Sequence, residues 1–327
     1  MADWLYEEGI GENRAILVDE GEIVEAAIEL PGQLRAGTIL ESRLAAVLVP
    51  GRRGIVATAR GELILEPLPP ALTEGQALRV EVVREAIPET GRPKLATGRV
   101  SDEPPREGPS LLDRIGAGAR AATLYGPDRF EEAGWSELLE EAASGEIAFG
   151  GGALRMSLTP AMTLFDVDGS LPPAELAVAG AAAAVRAIRR FGIGGSIGID
   201  LPTLAGKEER SRAAASVDAL LPQPFERTAV NGFGFLQIVR RRERPSLPEL
   251  IRADPAAAAA RALMRRAERS VGSGERTVAA APAVVARIEA EPGWLEALAR
   301  RLGAPVGLRS DPALAISAGH VHSRFAT

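Results

Sequence analysis

The sequence predicts a mixed α+β and α/β protein: a small N-terminal β-barrel, a central core in which strands alternate with helices, and a small C-terminal α/β domain. Three observations lead there. Short β-branched runs broken by Gly and Pro crowd residues 1–100. Between residues 150 and 250, apolar strands alternate with a long alanine-rich helix and end on Asp166, Asp168 and Asp200. The chain has 327 residues, 46% of them hydrophobic, enough to build the cores of two or three domains. The expected divisions are 1–100 for the barrel, 101–149 for a linker with bracing helices, 150–250 for the core and 251–327 for the last domain.

The first hundred residues carry strand signals at 15–18, 22–25, 38–40, 45–49, 54–57, 63–65 and 78–83, separated by Asp-Glu-Gly, Pro-Gly and Pro-Gly-Arg-Arg-Gly breaks. A five-stranded Greek-key barrel of the oligonucleotide-binding type fits this spacing, as do other barrels and sandwiches. The basic groups Arg52, Arg53, Arg60, Arg84, Arg92, Lys94 and Arg99 are either an RNA-facing stripe or a scattered solvated surface. From Ser101 to Pro109 the composition turns to Asp, Glu, Pro, Arg and Gly, which is linker chemistry. Helices are expected over 110–122 and 128–143, the second amphipathic through Phe130, Trp135, Leu138 and Leu139 and ended by Ser144-Gly145.

The central segment opens with GGALRMSLTPAMTLFDVDGS, two alternating segments around a turn at Thr159-Pro160. On a strand, Asp166 and Asp168 share one face while Phe165 and Val167 take the other. Pro172-Pro173 opens a helix to about Arg190, stopped by Gly192-Ile193-Gly194-Gly195. A strand over 196–201, a helix over 207–221 and strands near 226–230 and 234–239 complete the segment. This order suggests a ribonuclease H-like core, in which acids at strand ends converge beside the carboxyl edge of a sheet.

Bulk properties narrow the function. Cysteine is absent, which excludes disulfides, thiolate nucleophiles and cysteine zinc sites. No apolar leader or membrane-length span is present in the sequence, so the cytoplasm is the expected location. A net charge of −6 gives no global attraction for phosphate, so nucleic-acid binding would rest on local basic patches. The two histidines, His320 and His322, read either as a His-x-His metal pair or as part of a disordered end.

Three ordered blocks, GGALRMSLTPAMTLFDVDGS, GGSIGIDLP and NGFGFLQIVRRRERPSL, resemble the catalytic core of the ribonuclease E/G family of bacterial endoribonucleases. GRPKLATG is similar to the exit of that family's S1 barrel, and the segment from Thr277 through APAVVARIEAEPGWLEALARRLGAPVGLRSDP to its C-terminal piece. The resemblance implies a Mg²⁺-dependent endoribonuclease (Mn²⁺ as a substitute) acting on single-stranded regions of RNA in rRNA or mRNA processing or decay. Asp166 and Asp200 would hold the ion, which suits a cation that prefers oxygen and is commonly bound by one or two carboxylates plus phosphate oxygens. Asp168 stands where the family usually has Asn; it would join the metal shell or share a proton with Asp166, as close like charges do when no cation lies between them. Arg240, Arg242 and Arg244 match basic family positions and would set guanidiniums beside the metal; Lys94 and Lys207 are further RNA-binding candidates, with Arg210 a weaker one. Taken singly, each Asp also reads as a helix cap or turn former, and 240–244 as a solvated charge run.

Departures from the family bound what carries over. Val47 and Ile55 occupy barrel positions where the family stacks bases on aromatic rings. The short span before Asp166 leaves no room for the family's 5′-monophosphate pocket. PELIRADPAAAAARALMRR, read as a plain helix, replaces the zinc-linking cysteines, so no zinc is expected and any homodimer would lack a zinc link. Pro160 replaces a family Glu. A non-catalytic RNA-binding relative, acting as scaffold or competitor, is the other class these changes allow.

Overall fold

A computed structural model of the protein describes residues 3–89, 91, 93–122, 126–272 and 274–323; Arg92 lies outside them. β1 (Asp3–Glu8), β2 (Asn13–Asp19) and β3 (Glu22–Glu29) form an antiparallel meander. β4 (Ile39–Val49), β5 (Arg53–Thr58), β6 (Gly61–Leu65), β7 (Ala77–Arg84) and β8 (Thr97–Val100) close into a five-stranded barrel in the order β4-β5-β6-β8-β7. Leu44, Val56, Leu63, Leu65, Val80 and Val82 fill it. Two register shifts bend the long β4, which pairs with both β5 and β7 and so closes the ring.

The barrel expected over 1–100 therefore spans only Ile39–Val100. The first meander belongs to the main core, where Leu5, Ile16, Ile23 and Ala26 are buried in one cluster with Ile188 and Phe191. Short β-branched runs identify strands but not their partners, so the sequence alone did not divide the two sheets. The basic groups of the barrel are dispersed: Arg52 and Arg53 face Glu66, Arg60 faces Glu107, Arg99 faces Glu81 and Lys94 faces Glu89. Arg84 donates to the Leu95 carbonyl at 2.7 Å.

Next come α1 (Leu111–Ile115), β9 (Arg120–Ala121), α2 (Arg129–Glu132) and α3 (Trp135–Ser144). The helix expected over 110–122 stops after one capped turn, and the chain then adds β9 parallel to β1. The helix expected over 128–143 is split at Gly134, whose φ of +91° is left-handed and open to glycine at little cost. Phe130 and Trp135 are fully buried in edge-to-face contact, 5.5 Å between centroids, and brace the core.

β10 (Glu146–Phe149), β11 (Gly152–Leu158), β12 (Thr163–Gly169), α4 (Pro173–Arg190), β13 (Gly195–Asp200), α5 (Lys207–Leu220), β14 (Glu226–Arg227) and β15 (Phe235–Arg240) build the central sheet, in the order β10-β11-β12-β13-β15-β14. β12 and β13 are parallel, joined by the α4 crossover; the other pairs are antiparallel. In the turn between β11 and β12, the Thr159 hydroxyl accepts from Met162 N at 3.0 Å, and Pro160 occupies a turn position suited to its fixed φ. Leu154, Met156, Phe165, Val167, Ile197, Ile199, Leu236 and Ile238 turn one face into the core beneath α4. On the other face Arg155, Asp168 and Asp200 are exposed and Asp166 half-buried.

The last part contains α6 (Leu247–Ala253), α7 (Pro255–Glu268), β16 (Arg276–Ala280), α8 (Pro282–Glu289), α9 (Trp294–Leu302), β17 (Val306–Ser310) and β18 (His320–Ser323), with sheet order β17-β16-β18. The single helix expected through 248–266 is two, broken at Asp254-Pro255, where the Asp254 carboxylate caps α7 by accepting from Ala257 N at 3.0 Å. His320 and His322 are not a disordered end: they lie on β18, paired to Ala279 and Thr277, with rings 4.4 Å apart. Regular strand pairing satisfies that segment's backbone groups. A buried ionic cluster ties the first meander to α7: Glu12 binds Arg261 at 3.0 Å and also Arg265, while Glu7 binds Arg14 at 2.9 Å and also Arg269.

Candidate functional site

Asp166 on β12 and Asp200 on β13 are register partners across the parallel pair. Neighbouring strands lie about 4.8 Å apart, and paired residues point to the same face. The alternation that buries Phe165, Val167, Ile197 and Ile199 therefore turns both carboxylates onto the open face. Asp200 is the last residue of β13, so the two acids stand at the carboxyl edge of the parallel pair. Among the described residues neither carboxylate makes a side-chain hydrogen bond or salt bridge, and neither caps a helix. The residue before α4 is Pro172 and that before α5 is Gly206.

The row continues on both sides. Arg155 on β11 is the register partner of Asp166, Glu146 on β10 is that of Arg155, and Phe235 on β15 is that of Asp200. Arg155 bonds Glu146 at 3.2 Å. That carboxylate first, and then the fields of Asp168 and Asp166, hold the exposed guanidinium above its ordinary pKa. Asp168 lies one pleat further along β12, opposite Ala153 and past the end of β13. Among the described residues no group of three or more His, Cys, Asp or Glu is arranged to hold a metal. The geometry thus brings two carboxylates together and leaves Asp168 beside them.

Two features of this face were missed in the sequence. One is Arg155, whose place beside the acids depends on hairpin register. The other is the aromatic pair of the NGFGF turn. The Phe235 ring lies over Gly198, where an added Cβ would stand 2.6 Å from it. The Asn231 side chain accepts from Phe233 N at 2.9 Å and Phe235 N at 3.0 Å, shaping a turn that leaves Phe233 84% exposed. Gly234, at φ +93°, is required there, since a Cβ would meet the Leu201 carbonyl at 2.2 Å. Lys207 begins α5, seven residues past the end of β13 at Asp200, and is exposed.

The arginine run does not join the acids. Arg240 pairs with Gly195 at the far end of β13 from Asp200, five residues and roughly 17 Å along the strand from Phe235. Arg240 donates to the Ile193 carbonyl at 3.2 Å, and burial lowers its pKa. Arg242 is bound by Glu249, and Arg244 turns to a cavity beside the barrel. Lys94 also lies at this opposite edge, donating to the Pro160 carbonyl at 3.1 Å and lining a small cleft with Arg242. The expectation of guanidiniums beside the metal at 240–244 is corrected accordingly: β15 runs antiparallel to β13, so its C-terminal end leaves the carboxyl edge rather than arriving there.

No family model matches the chain, and no curated protein matches it. Among the described residues no helix is long and apolar enough to cross a membrane.

Proposed function

We propose that the chain is a compact, Mg²⁺-dependent endoribonuclease of the ribonuclease E/G kind, acting in the cytoplasm on single-stranded RNA, with Mn²⁺ able to replace Mg²⁺. The observation that carries the reading is the register pairing of Asp166 with Asp200 on an open face, neither carboxylate making a side-chain hydrogen bond or salt bridge among the described residues. Two free carboxylates on adjacent strands suit an oxygen-loving cation that keeps several waters and takes phosphate oxygens as further ligands. When bound, Mg²⁺ would activate a water for attack on the phosphodiester and offset charge developing on the phosphate. Asp166 and Asp200 hold that charge at the sheet edge, and Asp168 adds negative potential beside them. Arg155 supplies a fixed guanidinium on the neighbouring strand, able to take a phosphate oxygen of the bound strand. Phe233 offers an exposed ring on which a base can stack, a role the barrel positions Val47 and Ile55 lack.

The test is cleavage of a short fluorescent RNA with Mg²⁺ by the full chain, by Asp166→Ala and by Asp200→Ala. Cleavage lost in both variants supports the nuclease. RNA binding without cleavage by the parent protein would replace it with the second reading, a non-catalytic RNA-binding relative.

A further inference from the structure

At the edge of the central sheet away from Asp200, the chain from β15 to α6 packs against the barrel; Glu85 N donates to the Glu243 carbonyl at 2.7 Å. A cavity of about 180 Å³ lies in this seam, lined by Arg35, Arg114 and Arg244 together with Glu29, Glu85 and apolar groups that include Leu250. An adjoining cavity of about 260 Å³ shares Arg114 and Arg244.

The three guanidiniums are only partly matched by the protein itself: Arg114 donates through Nη1 to the Pro109 carbonyl at 3.2 Å. The ion pair of Arg114 with Glu29 is 3.7 Å long, that of Arg35 with Glu107 is 3.6 Å and that of Arg244 with Glu243 is 3.8 Å. Among the described residues, Nε of Arg114 and Nε of Arg35 are buried without a hydrogen-bond partner. Such donors are costly to leave unmade, and most buried polar groups have a partner. Glu29 is already engaged, accepting from Leu111 N at 2.8 Å. Glu85 accepts from Ala36 N at 3.3 Å. Burial raises its pKa.

We propose that this seam is a binding site for a doubly charged phosphate group, either inorganic phosphate or a small organic phosphate monoester, gripped by Arg35, Arg114 and Arg244. Guanidinium forks match phosphate oxygens bidentately, and the apolar walls strengthen each contact by excluding water. The site lies at the other edge of the sheet from Asp166 and Asp200 and stands independently of the nuclease reading.

The experiment is calorimetric titration of the full chain with inorganic phosphate and, separately, with glycerol 3-phosphate. One saturable site is expected, weakened at least tenfold in Arg35→Gln and in Arg114→Gln, tightened in Glu85→Gln and unchanged in Asp166→Asn. Binding of both probes alike assigns the phosphate group alone as the determinant; tighter binding of glycerol 3-phosphate assigns a monoester. Because Arg114→Gln could impair folding, nuclear magnetic resonance of the arginine Nε–H groups in the parent protein serves as a second readout, with Arg35 and Arg114 signals shifting on phosphate addition. No saturable binding of either probe, unmoved Arg35 and Arg114 signals, or loss of binding in Asp166→Asn would each overturn the proposal.

Discussion

Asp166 and Asp200 sit directly across from one another on the only parallel step of the central sheet among the described residues, with Arg155 and Phe235 completing the row on either side. The α4 crossover makes this juxtaposition possible, because it returns the chain to lay β13 beside β12 in the same direction. The side chains share a face through the two-residue period of both strands. Under the proposed reading, the properties of the site follow from this row.

Asp166→Asn and Asp200→Asn should each lower the cleavage rate on the order of 10²-fold or more, the scale of removing one electrostatic stabiliser of a transition state. Both groups would serve one ion, so the double variant should be scarcely worse than either single one. Single-turnover rates check this, and multiplicative losses would count against a shared ion.

Arg155→Ala should move two quantities in opposite senses. A fixed positive charge beside two carboxylates competes with a divalent cation, so the Mg²⁺ concentration for half-maximal activity should fall in the variant. The KM for RNA should rise, since a phosphate contact is lost. Titration of Mg²⁺ at saturating RNA and of RNA at saturating Mg²⁺ separates the two.

Phe233→Ala should weaken single-stranded RNA binding roughly tenfold, within the range of one base stacked on an aromatic ring. Its 84% exposure means that the thermal midpoint should stay unchanged. Fluorescence anisotropy with a labelled oligonucleotide, beside a melting curve, measures both.

Gly180→Ala should destabilise the fold by about 1–3 kcal/mol, the usual cost of overpacking a core. A Cβ at that point in α4 would stand 2.3 Å from Cγ1 of Val167, the residue between Asp166 and Asp168. Urea unfolding gives the stability change. Cleavage by the folded variant reports whether a displaced β12 disturbs the acids.

Glu85 should make stability depend on pH with a definite sign. Burial raises its folded pKa above the ordinary value of 4.5, so the native state holds the proton more tightly than the unfolded chain. Stability therefore declines as pH rises from about 4.5 through the folded value, then levels. Glu85→Gln removes that decline. Its stability relative to the parent should climb over the same window, as denaturation at a series of pH values from 4 to 8 would measure; a difference that does not vary with pH would refute the assignment.

Much of the central core was legible in the sequence. The alternation around Phe165 and Val167 located β12 and the face of its acids, Pro172-Pro173 marked the start of α4, and the glycines after Phe191 marked its end. The barrel strands were legible as strands, but their boundary was not. β1–β3 carry the same β-branched signal, and their alliance with α4 is settled by long-range burial. The arginine run misled for a related reason. Its distance from Asp200 depends on the direction in which β15 returns, which no local pattern encodes.

By itself the sequence determined that helices and strands alternate through the central core and which side of β12 is apolar, because both follow from interactions within a few residues along the chain; the bounds of the helices over 110–122, 128–143 and 248–266 it did not determine. It also named two of the acids that meet, through motifs that resemble a known family. Only the tertiary structure decided that Arg155 and Phe235 flank those acids, that Arg240, Arg242 and Arg244 lie at the other edge, and that Arg35, Arg114 and Arg244 surround one cavity. Those neighbourhoods join residues far apart in the chain, and they arise from strand register, strand direction and domain packing, which are properties of the assembled core.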